Sequence, residues 1–211
     1  MALKLNGSTA GSVSIEAPAD TSPTGTDVTL TLPVNDGDSG QYLQTNGSGG
    51  LSWQTVTTPA VLQVESAAKT DTQASGTGQT WTAISNLSVS ITPAATGNNI
   101  LVMAQISAGL DRDAVLYLRL VRDGTAIGLG AAAGSRIPCT SFRYMAGMDN
   151  GIQTDTLIFL DSPATTSSVT YQVQVRLNDP GIFYINQREI DGDNTDYGRS
   201  ISTLTVMEVA G

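Results

Sequence analysis

The chain has 211 residues, with no histidine and one cysteine, and its 19 acidic against 10 basic residues give a formal net charge of −9. The missing histidines exclude catalytic triads with a histidine base and the common zinc sites, and one cysteine allows no internal disulfide. Nucleic-acid binding depends on Lys and Arg side chains that neutralise phosphates. The acidic balance therefore argues against a nucleic-acid partner.

The first residues, MALKLNG, contain no apolar run of the kind found in a secretion signal. No stretch of the sequence reaches the ~18 apolar residues of a membrane span. We therefore expect a protein made in a reducing cytoplasm, with no membrane insertion. In that setting Cys139 is predicted to be a small buried apolar side chain.

The stretch Val28–Val56 combines strand alternation with turn residues. It opens on VTLTL, in which three apolar side chains alternate with two threonines, the period of a half-buried strand. Two further strands, Gln41–Gln44 and Leu51–Val56, are predicted on either side of the turn sequence NGSGG. Three short strands cannot enclose a core, so they need a partner surface. The apolar side chains expected to pack there are Val28, Leu30, Leu32, Leu51 and Trp53.

This stretch resembles a short β-module of bacteriophage fibre and tail-appendage proteins, particularly in phages of marine cyanobacteria. The residues that carry the resemblance are Thr29–Pro33, Gly37–Gly40, Gln41–Gly49 and Leu51–Trp53, with Leu5–Val13 as the lead-in. Residues Gly198–Gly211 resemble the closing strand of the globular tips on such fibres. The resemblance implies a homotrimer, in which residues 1–57 borrow their core from identical neighbours and attach to other virion proteins.

A joint at Thr57–Ala60 separates this unit from a second one, residues 58–211, that contains longer apolar strands. Asp123-Gly124 predicts a hairpin turn between two of them. The predicted strands are Val61–Glu65, Gln79–Thr82, Leu87–Ile91, Ile100–Ile106, Val115–Arg122, Thr125–Leu129, Thr156–Leu160, Tyr171–Leu177, Ile182–Asn186 and Ile201–Val209.

The absence of any helical period predicts an all-β protein. Short strands with turn signals between them are typical of a β-sandwich. For the second unit we expect jelly-roll connectivity, as in trimeric tips with the shape of complement C1q and tumour necrosis factor. The spacing of the strands does not provide their order.

Paired carboxylates are the remaining candidates for catalysis, because glycan hydrolases use two acids. The pairs are Asp111 with Asp113, Asp149 with Asp155, and Glu189 with Asp191. Each lies at or beside a predicted turn, where aspartate is ordinary, so no catalytic residue is predicted. The loop Asp191–Asp196 has alternating oxygen ligands but lacks the closing glutamate of a calcium loop. We therefore predict a polar surface loop there, with no metal and no cofactor.

Exposed loop residues are the candidates for contact with a receptor, because binding residues tend to lie on loops that a rigid scaffold carries. The aromatic residues Trp53, Trp81 and Tyr184 lie in or beside predicted strands and are expected in the core. Tyr144 and Tyr197 lie in loop-like sequence, in the segments Arg143–Gly147 and Asp191–Tyr197. The predicted receptor-contact residues are Arg143, Tyr144, Asp191, Asp193, Asp196 and Tyr197.

Together these features predict a non-enzymatic protein of a phage virion, a homotrimeric fibre or knob that adheres to a host-surface glycan or protein. One alternative is a capsid decoration or head-fibre protein, which would have the same architecture and no receptor. A second is a short tailspike that cleaves glycans. Fold alone does not separate the three, because function depends on sites carried by a fold.

Overall fold

The computed structural model describes residues 3–6, 12–15, 28–56, 60–77, 79–145 and 151–211. Every regular element in these ranges is a β-strand, which confirms the predicted all-β class. The chain divides into two compact units, Met1–Thr58 and Pro59–Gly211. The division falls within the predicted joint Thr57–Ala60.

The first unit contains two antiparallel pairs of strands. Strand β1 (Leu3–Asn6) pairs with β2 (Ser12–Ile15), and β3 (Gln41–Thr45) pairs with β4 (Leu51–Thr55). The turn between β3 and β4 is held by Asn46, whose side-chain oxygen accepts hydrogen bonds from the backbone N–H groups of Ser48 (2.8 Å) and Gly50 (3.0 Å). Such side-chain-to-backbone bonds are why asparagine is favoured in turns.

The prediction of a regular strand at residues 28–32 is wrong, because these residues do not form a continuous ladder of strand pairing. Its regular pairing reduces to one isolated parallel bridge, Thr31 with Gly50, and its side chains Val28, Leu30 and Leu32 are exposed. The alternation of apolar residues is present, but no surface formed by the described residues covers the apolar side. The two predicted strands that follow it are confirmed as β3 and β4, within one residue at their ends.

Trp53 organises the loop that precedes β3. Its indole N–H donates to the carbonyl oxygen of Asn35 at 2.9 Å. Gly37 lies directly against the ring with a φ of +72°, and a Cβ at this position would come within 2.6 Å of the indole. Only glycine combines that positive φ with so close an approach, and the half-buried Trp53 therefore fixes the path of the loop instead of filling a core.

The second unit is built from eleven strands in the described residues. Their bounds are β5 Val61–Lys69, β6 Gln73–Thr77, β7 Thr82–Ile91, β8 Asn99–Leu110, β9 Ala114–Arg122, β10 Thr125–Ile127, β11 Ser141–Met145, β12 Ile152–Asp161, β13 Val169–Leu177, β14 Gly181–Ile185 and β15 Ser202–Val209.

Six of these strands form one antiparallel sheet around the long strand β8. Strand β12 pairs with one edge of β8 over ten residues, while β15 and β14 share its other edge. Strand β5 then pairs with β15, and β6 pairs with β14. Strand β12 is therefore an edge strand, and β12, β8, β15 and β5 lie side by side.

The other five strands form a second antiparallel sheet around β9. Strand β13 pairs with one edge of β9 and with β7 beyond it. Strands β10 and β11 share the opposite edge of β9. The β9–β10 hairpin turns at Asp123 and Gly124, which both have positive φ (+47° and +81°), and this confirms the predicted hairpin of the primed-turn type.

The core lies between the two sheets and consists of their inward-facing aliphatic side chains. Leu118, Val173 and Val206, for example, are completely buried, as expected where alternate residues of each strand face the opposite sheet. Strands β7 to β9 switch sheets at each step, and so do β11 to β13. Strands β9, β10 and β11 stay in one sheet. This path of the chain between the two sheets is that of a jelly roll.

Two strands of the second unit escaped prediction, and both contain few aliphatic residues. Strand β6 (QASGT) pairs with β14, and β11 (SFRYM) pairs with β9. The strand predicted at Gln79–Thr82 is wrong, since residues 79–80 form a bend and β7 begins at Thr82. Buried Tyr184 confirms its predicted place, whereas Trp81 is only partly buried.

Candidate functional site

Arg143, a predicted receptor contact, does not lie in a loop. It is the third residue of β11 and is paired in register with Leu116, so it faces the space between the sheets. Its guanidinium lies 3.1 Å from the Asp155 carboxylate, in a contact too poorly directed for a hydrogen bond, and both side chains are almost buried. It also donates to the Ala108 carbonyl at 2.6 Å and to Gln153 at 3.0 Å.

This ion pair joins the edge of one sheet to the edge of the other. Burial lowers the pKa of Arg143 and raises that of Asp155, and the attraction between the two charges opposes both shifts. The arginine therefore links β11 to β12 and β8, and its side chain is almost enclosed. Gly147, at the end of the predicted contact segment, and Asp149 lie outside the described residues.

Tyr144 also lies in β11, but it points to the opposite side of the sheet. It is 64% exposed, and its neighbour Phe142 is 66% exposed. The Phe142 ring lies 6.1 Å from the ring of Tyr117, its register partner on β9, at an interplanar angle of 30°. A rule that assigns aromatic residues in strands to the core does not predict exposed rings such as those of Phe142 and Tyr144.

The predicted contact loop at Asp191–Tyr197 is a surface segment that its flanking arginines hold. Arg199 forms an ion pair with Asp191. The guanidinium carbon of Arg188 lies 5.0 Å from the centroid of the Tyr197 ring, a cation–π contact. Asp193 and Asp196 are exposed. Within the described part of the chain, no group of three or more metal-binding side chains comes together.

Three of the acids considered for catalysis form ion pairs. Asp111 pairs with Arg112 at 3.3 Å, Asp155 with Arg143, and Asp191 with Arg199. A general acid or base must reach a reacting group in an open pocket. Asp155 does not meet that requirement because it is enclosed between the sheets.

Arg119, Arg136 and Arg176 form no ion pair with a carboxylate among the described residues, and they lie near Tyr117. Of the basic side chains that the structure describes, Lys69, Arg112, Arg122, Arg143 and Arg199 form ion pairs, and Arg188 lies on Tyr197. The arginines outside these pairs are Arg119, Arg136 and Arg176. Arg176 is the register partner of Tyr117 on β13, and Arg119 follows Tyr117 by two residues on the same side of β9.

Arg119 is held by neutral partners, whereas one donor of Arg176 is unsatisfied in the described residues. Arg119 donates twice to the Gln174 side-chain oxygen, at 2.8 and 2.7 Å, and its guanidinium carbon lies 4.3 Å from the Trp81 ring centroid. Burial and the nearby charge of Arg176 lower the pKa of Arg119. The Nε of Arg176 is buried and has no hydrogen-bond partner among the described residues.

A cavity of about 490 Å³ adjoins the cluster. Tyr117 and Phe142 form one side, and Arg136, Pro138 and Cys139 belong to the segment that forms the other. Cys139 is therefore only partly buried, which corrects the prediction of a core cysteine. We call the surface formed by Trp81, Tyr117, Arg119, Arg136, Phe142 and Arg176 the arginine–aromatic face.

The outer side of the six-stranded sheet has the opposite chemistry. Three rows of side chains run across β12, β8, β15 and β5 and point away from the core, as their register and partial exposure show. None of the twelve carries an ionisable group. We call this set the uncharged face: Thr156, Ile158, Leu160, Gln105, Met103, Leu101, Thr203, Thr205, Met207, Ala68, Ser66 and Val64.

Three aliphatic side chains of the uncharged face are largely open to solvent. Ile158 is 62% exposed, Leu160 53% and Val64 50%. Isolated exposed aliphatic residues are common on proteins, but a contiguous apolar patch without charges marks an interaction surface. Sequence alternation alone could not identify it, because the strand order that brings the four strands together is a property of the fold.

Comparisons with known proteins assign neither a family nor a function to the chain. No protein-family model matches the chain, and no curated protein matches it. Two similar solved structures are those of infectious bursal disease virus Gt strain (11% identity, 98% of this chain, 46% of that chain, TM-score 0.36) and Gx strain (11%, 76% and 40%, TM-score 0.32). The chain spans less than half of either, and similarity this distant carries no argument about function. No described helix is long and apolar enough to cross a membrane.

Proposed function

We propose that the chain is a non-enzymatic structural protein of a bacteriophage virion, a homotrimeric fibre or knob that adheres to the host surface. The uncharged face is the observation that carries this proposal, since it supplies a surface through which identical copies associate. The resemblance of Val28–Val56 to a phage fibre module supports a place in a virion, where residues 1–57 would attach to other virion proteins.

An identical copy suits the uncharged face for an electrostatic reason. Each chain carries 19 acidic and 10 basic residues, so two copies repel one another wherever their acidic surfaces meet. The uncharged face brings no ionised groups together. Buried interface centres are depleted in charged residues for the same reason.

The size of the face fits the centre of an interface. With strands about 4.8 Å apart and alternate residues about 6.8 Å apart along each strand, three rows on four strands cover roughly 400 Å². A standard interface takes about 800 Å² from each partner, with an apolar centre and a polar rim. The exposed Val28, Leu30 and Leu32 of the first unit add a further apolar surface for the same copies to cover.

Light scattering of the purified full chain tests the assembly. We expect a particle of three chains of 21.9 kDa each, and Ile158→Lys should convert it to monomers, because each interface would then bury an unpaired charge. Leu129→Lys is the control, since Leu129 is also exposed, at 40%, but lies outside the uncharged face. A folded wild-type monomer at micromolar concentration would contradict the proposal.

Localisation on the particle and adhesion to cells test the rest of the proposal. Antibody labelling of virions should place the protein on a tail fibre or appendage, and fluorescently labelled trimer should bind host cells. If the protein coats the capsid and the trimer does not bind cells, it is a decoration protein instead. Release of reducing ends from host polysaccharide would replace the structural proposal with a glycan-cleaving tailspike.

A further inference from the structure

We propose that the arginine–aromatic face binds a carboxylate-bearing saccharide, such as a chain of uronic acid residues. This inference specifies the class of ligand for the proposed host adhesion, and its biological role rests on that adhesion. The site itself is defined by Arg119, Arg136 and Arg176 around Tyr117.

The first step of the argument is charge. The chain has nearly twice as many acidic as basic residues, yet Arg119, Arg136 and Arg176 have no carboxylate partner in the part of the chain that is described. Repulsion between Arg119 and Arg176 costs stability in the free protein. An anion bound beside the two guanidinium groups would offset that repulsion.

The second step is the chemistry of the anion. A guanidinium group presents two parallel N–H donors that match the two oxygens of a carboxylate. Beside the arginines lie the exposed ring of Phe142 and the ring of Tyr117. The C–H groups on one side of a pyranose ring carry partial positive charge and pack against the negative face of an aromatic ring. A sugar that bears a carboxylate satisfies both halves of the site.

The third step separates a saccharide from other anionic polymers. An acidic peptide that binds a sheet usually adds a strand to a free edge, but Arg119 and Arg176 lie on β9 and β13, whose edges are both paired. A nucleic acid presents closely spaced phosphates that require many basic contacts, and this face has three arginines in an acidic chain. The cavity of about 490 Å³ beside Tyr117 is within the size range of small-ligand pockets.

Calorimetric titration of the full-length protein tests the site with four probes. They are hexagalacturonate, the methyl ester of the same oligosaccharide, a hexaglutamate peptide and single-stranded oligothymidylate. We expect binding of hexagalacturonate and at least tenfold weaker binding of the methyl ester, because esterification removes the charge and leaves the sugar rings. Equal binding of acid and ester, or tighter binding of the peptide or the oligonucleotide, would overturn the proposal.

Variants of the arginines locate the binding. Arg176→Gln and Arg136→Gln should each weaken hexagalacturonate binding about tenfold, and Arg176→Lys should recover only part of the loss because lysine lacks the planar fork. Arg112→Gln is the matched control, since it removes the same charge from an exposed arginine outside the face. A melting curve of each variant monitors folding, and unchanged affinity in both folded glutamine variants would refute the site.

The outcome for the site and the outcome for adhesion are separable. Loss of hexagalacturonate binding in a trimer that still adheres to host cells would overturn the site and leave the proposed function intact. Binding of the saccharide by a protein that labels only the capsid would support the site and overturn adhesion.

Discussion

The two outer faces of the sandwich differ in chemistry although the same core supports both. The uncharged face carries aliphatic and hydroxyl side chains on four adjacent strands, with Ile158 and Leu160 open to solvent. The arginine–aromatic face carries exposed rings and three arginines that lack a carboxylate partner in the described residues. The first suits a surface that repeats in every copy, and the second suits a ligand of opposite charge.

The comparison shows that exposure alone does not identify a binding surface. Phe142 and Ile158 are similarly exposed, at 66% and 62%, yet their neighbours direct them to different partners. The arginines near Phe142 favour an anionic partner and oppose direct contact with the same face of another copy. The neutral neighbours of Ile158 permit such contact and offer nothing to an anion.

The largest expected effect comes from breaking the link between the two sheets. Asp155→Asn leaves the buried Arg143 without its carboxylate and should lower the free energy of unfolding by about 3 kcal/mol or more. Urea unfolding measures the change. Asp191→Asn removes a carboxylate from the exposed Asp191–Arg199 pair, and that change should stay below about 1 kcal/mol. Similar losses of unfolding free energy in both variants would show that the inter-sheet ion pair stabilises the fold no more than the exposed pair does.

A change of pH should act on the sheet of the uncharged face through Glu208. Burial alone would raise the pKa of Glu208, but hydrogen bonds from Asn98 (2.5 Å), Gln63 (2.6 Å) and the Ala94 backbone (2.7 Å) outweigh it and hold the pKa below its ordinary 4.5. The ionised carboxylate therefore stabilises the fold above pH 4.5, and this stabilisation is lost as the pH falls through the lowered pKa.

The matching variant is Glu208→Gln, which should cost about 1–3 kcal/mol at neutral pH, because it leaves a network of donors with a weaker acceptor. Melting temperatures between pH 3 and pH 7 should then depend less on pH than in the wild type. Glu65→Gln, on the adjacent strand β5, is exposed and serves as the control. An unchanged pH profile in Glu208→Gln would assign the acid sensitivity to other groups.

The smallest effect, and the sharpest comparison of the two faces, is their response to salt. Raising NaCl from about 50 to 300 mM shortens the screening length from about 14 to 6 Å. Binding of hexagalacturonate to the arginines should weaken several-fold, whereas trimer association through the uncharged face should change little. Titration and light scattering in the same buffers measure both. Association that weakens as much as saccharide binding would show that charges hold the copies together.

Much of the fold was predictable from period and turn chemistry. The alternation of Tyr171–Leu177 gave a central strand, and Asp123-Gly124 gave a hairpin. Strand β11 escaped because SFRYM places an arginine on the inner side of the strand, where an aliphatic residue is expected. That arginine is tolerated only because Asp155 approaches it from the other sheet, and no local pattern contains such a long-range partner.

The candidate sites were harder to predict, for the same reason. Tyr144 was expected to contact a receptor from a loop and lies instead on a sheet surface, while Arg143 beside it is enclosed. Both surfaces proposed here are assembled from strands far apart in the sequence. The strand register determines which residues share each surface, since it places Arg176 beside Tyr117 and Met103 beside Ile158.

The position of Cys139 allows the cavity to be labelled without introducing another cysteine. It is the only cysteine in the sequence and lines the cavity beside Tyr117 and Phe142, so a thiol-reactive fluorophore would attach at this place alone. Burial raises the pKa of the Cys139 thiol, and labelling should therefore proceed faster in mildly alkaline buffer, where more thiolate is present. The attached dye would report occupancy of the cavity directly in the isolated protein.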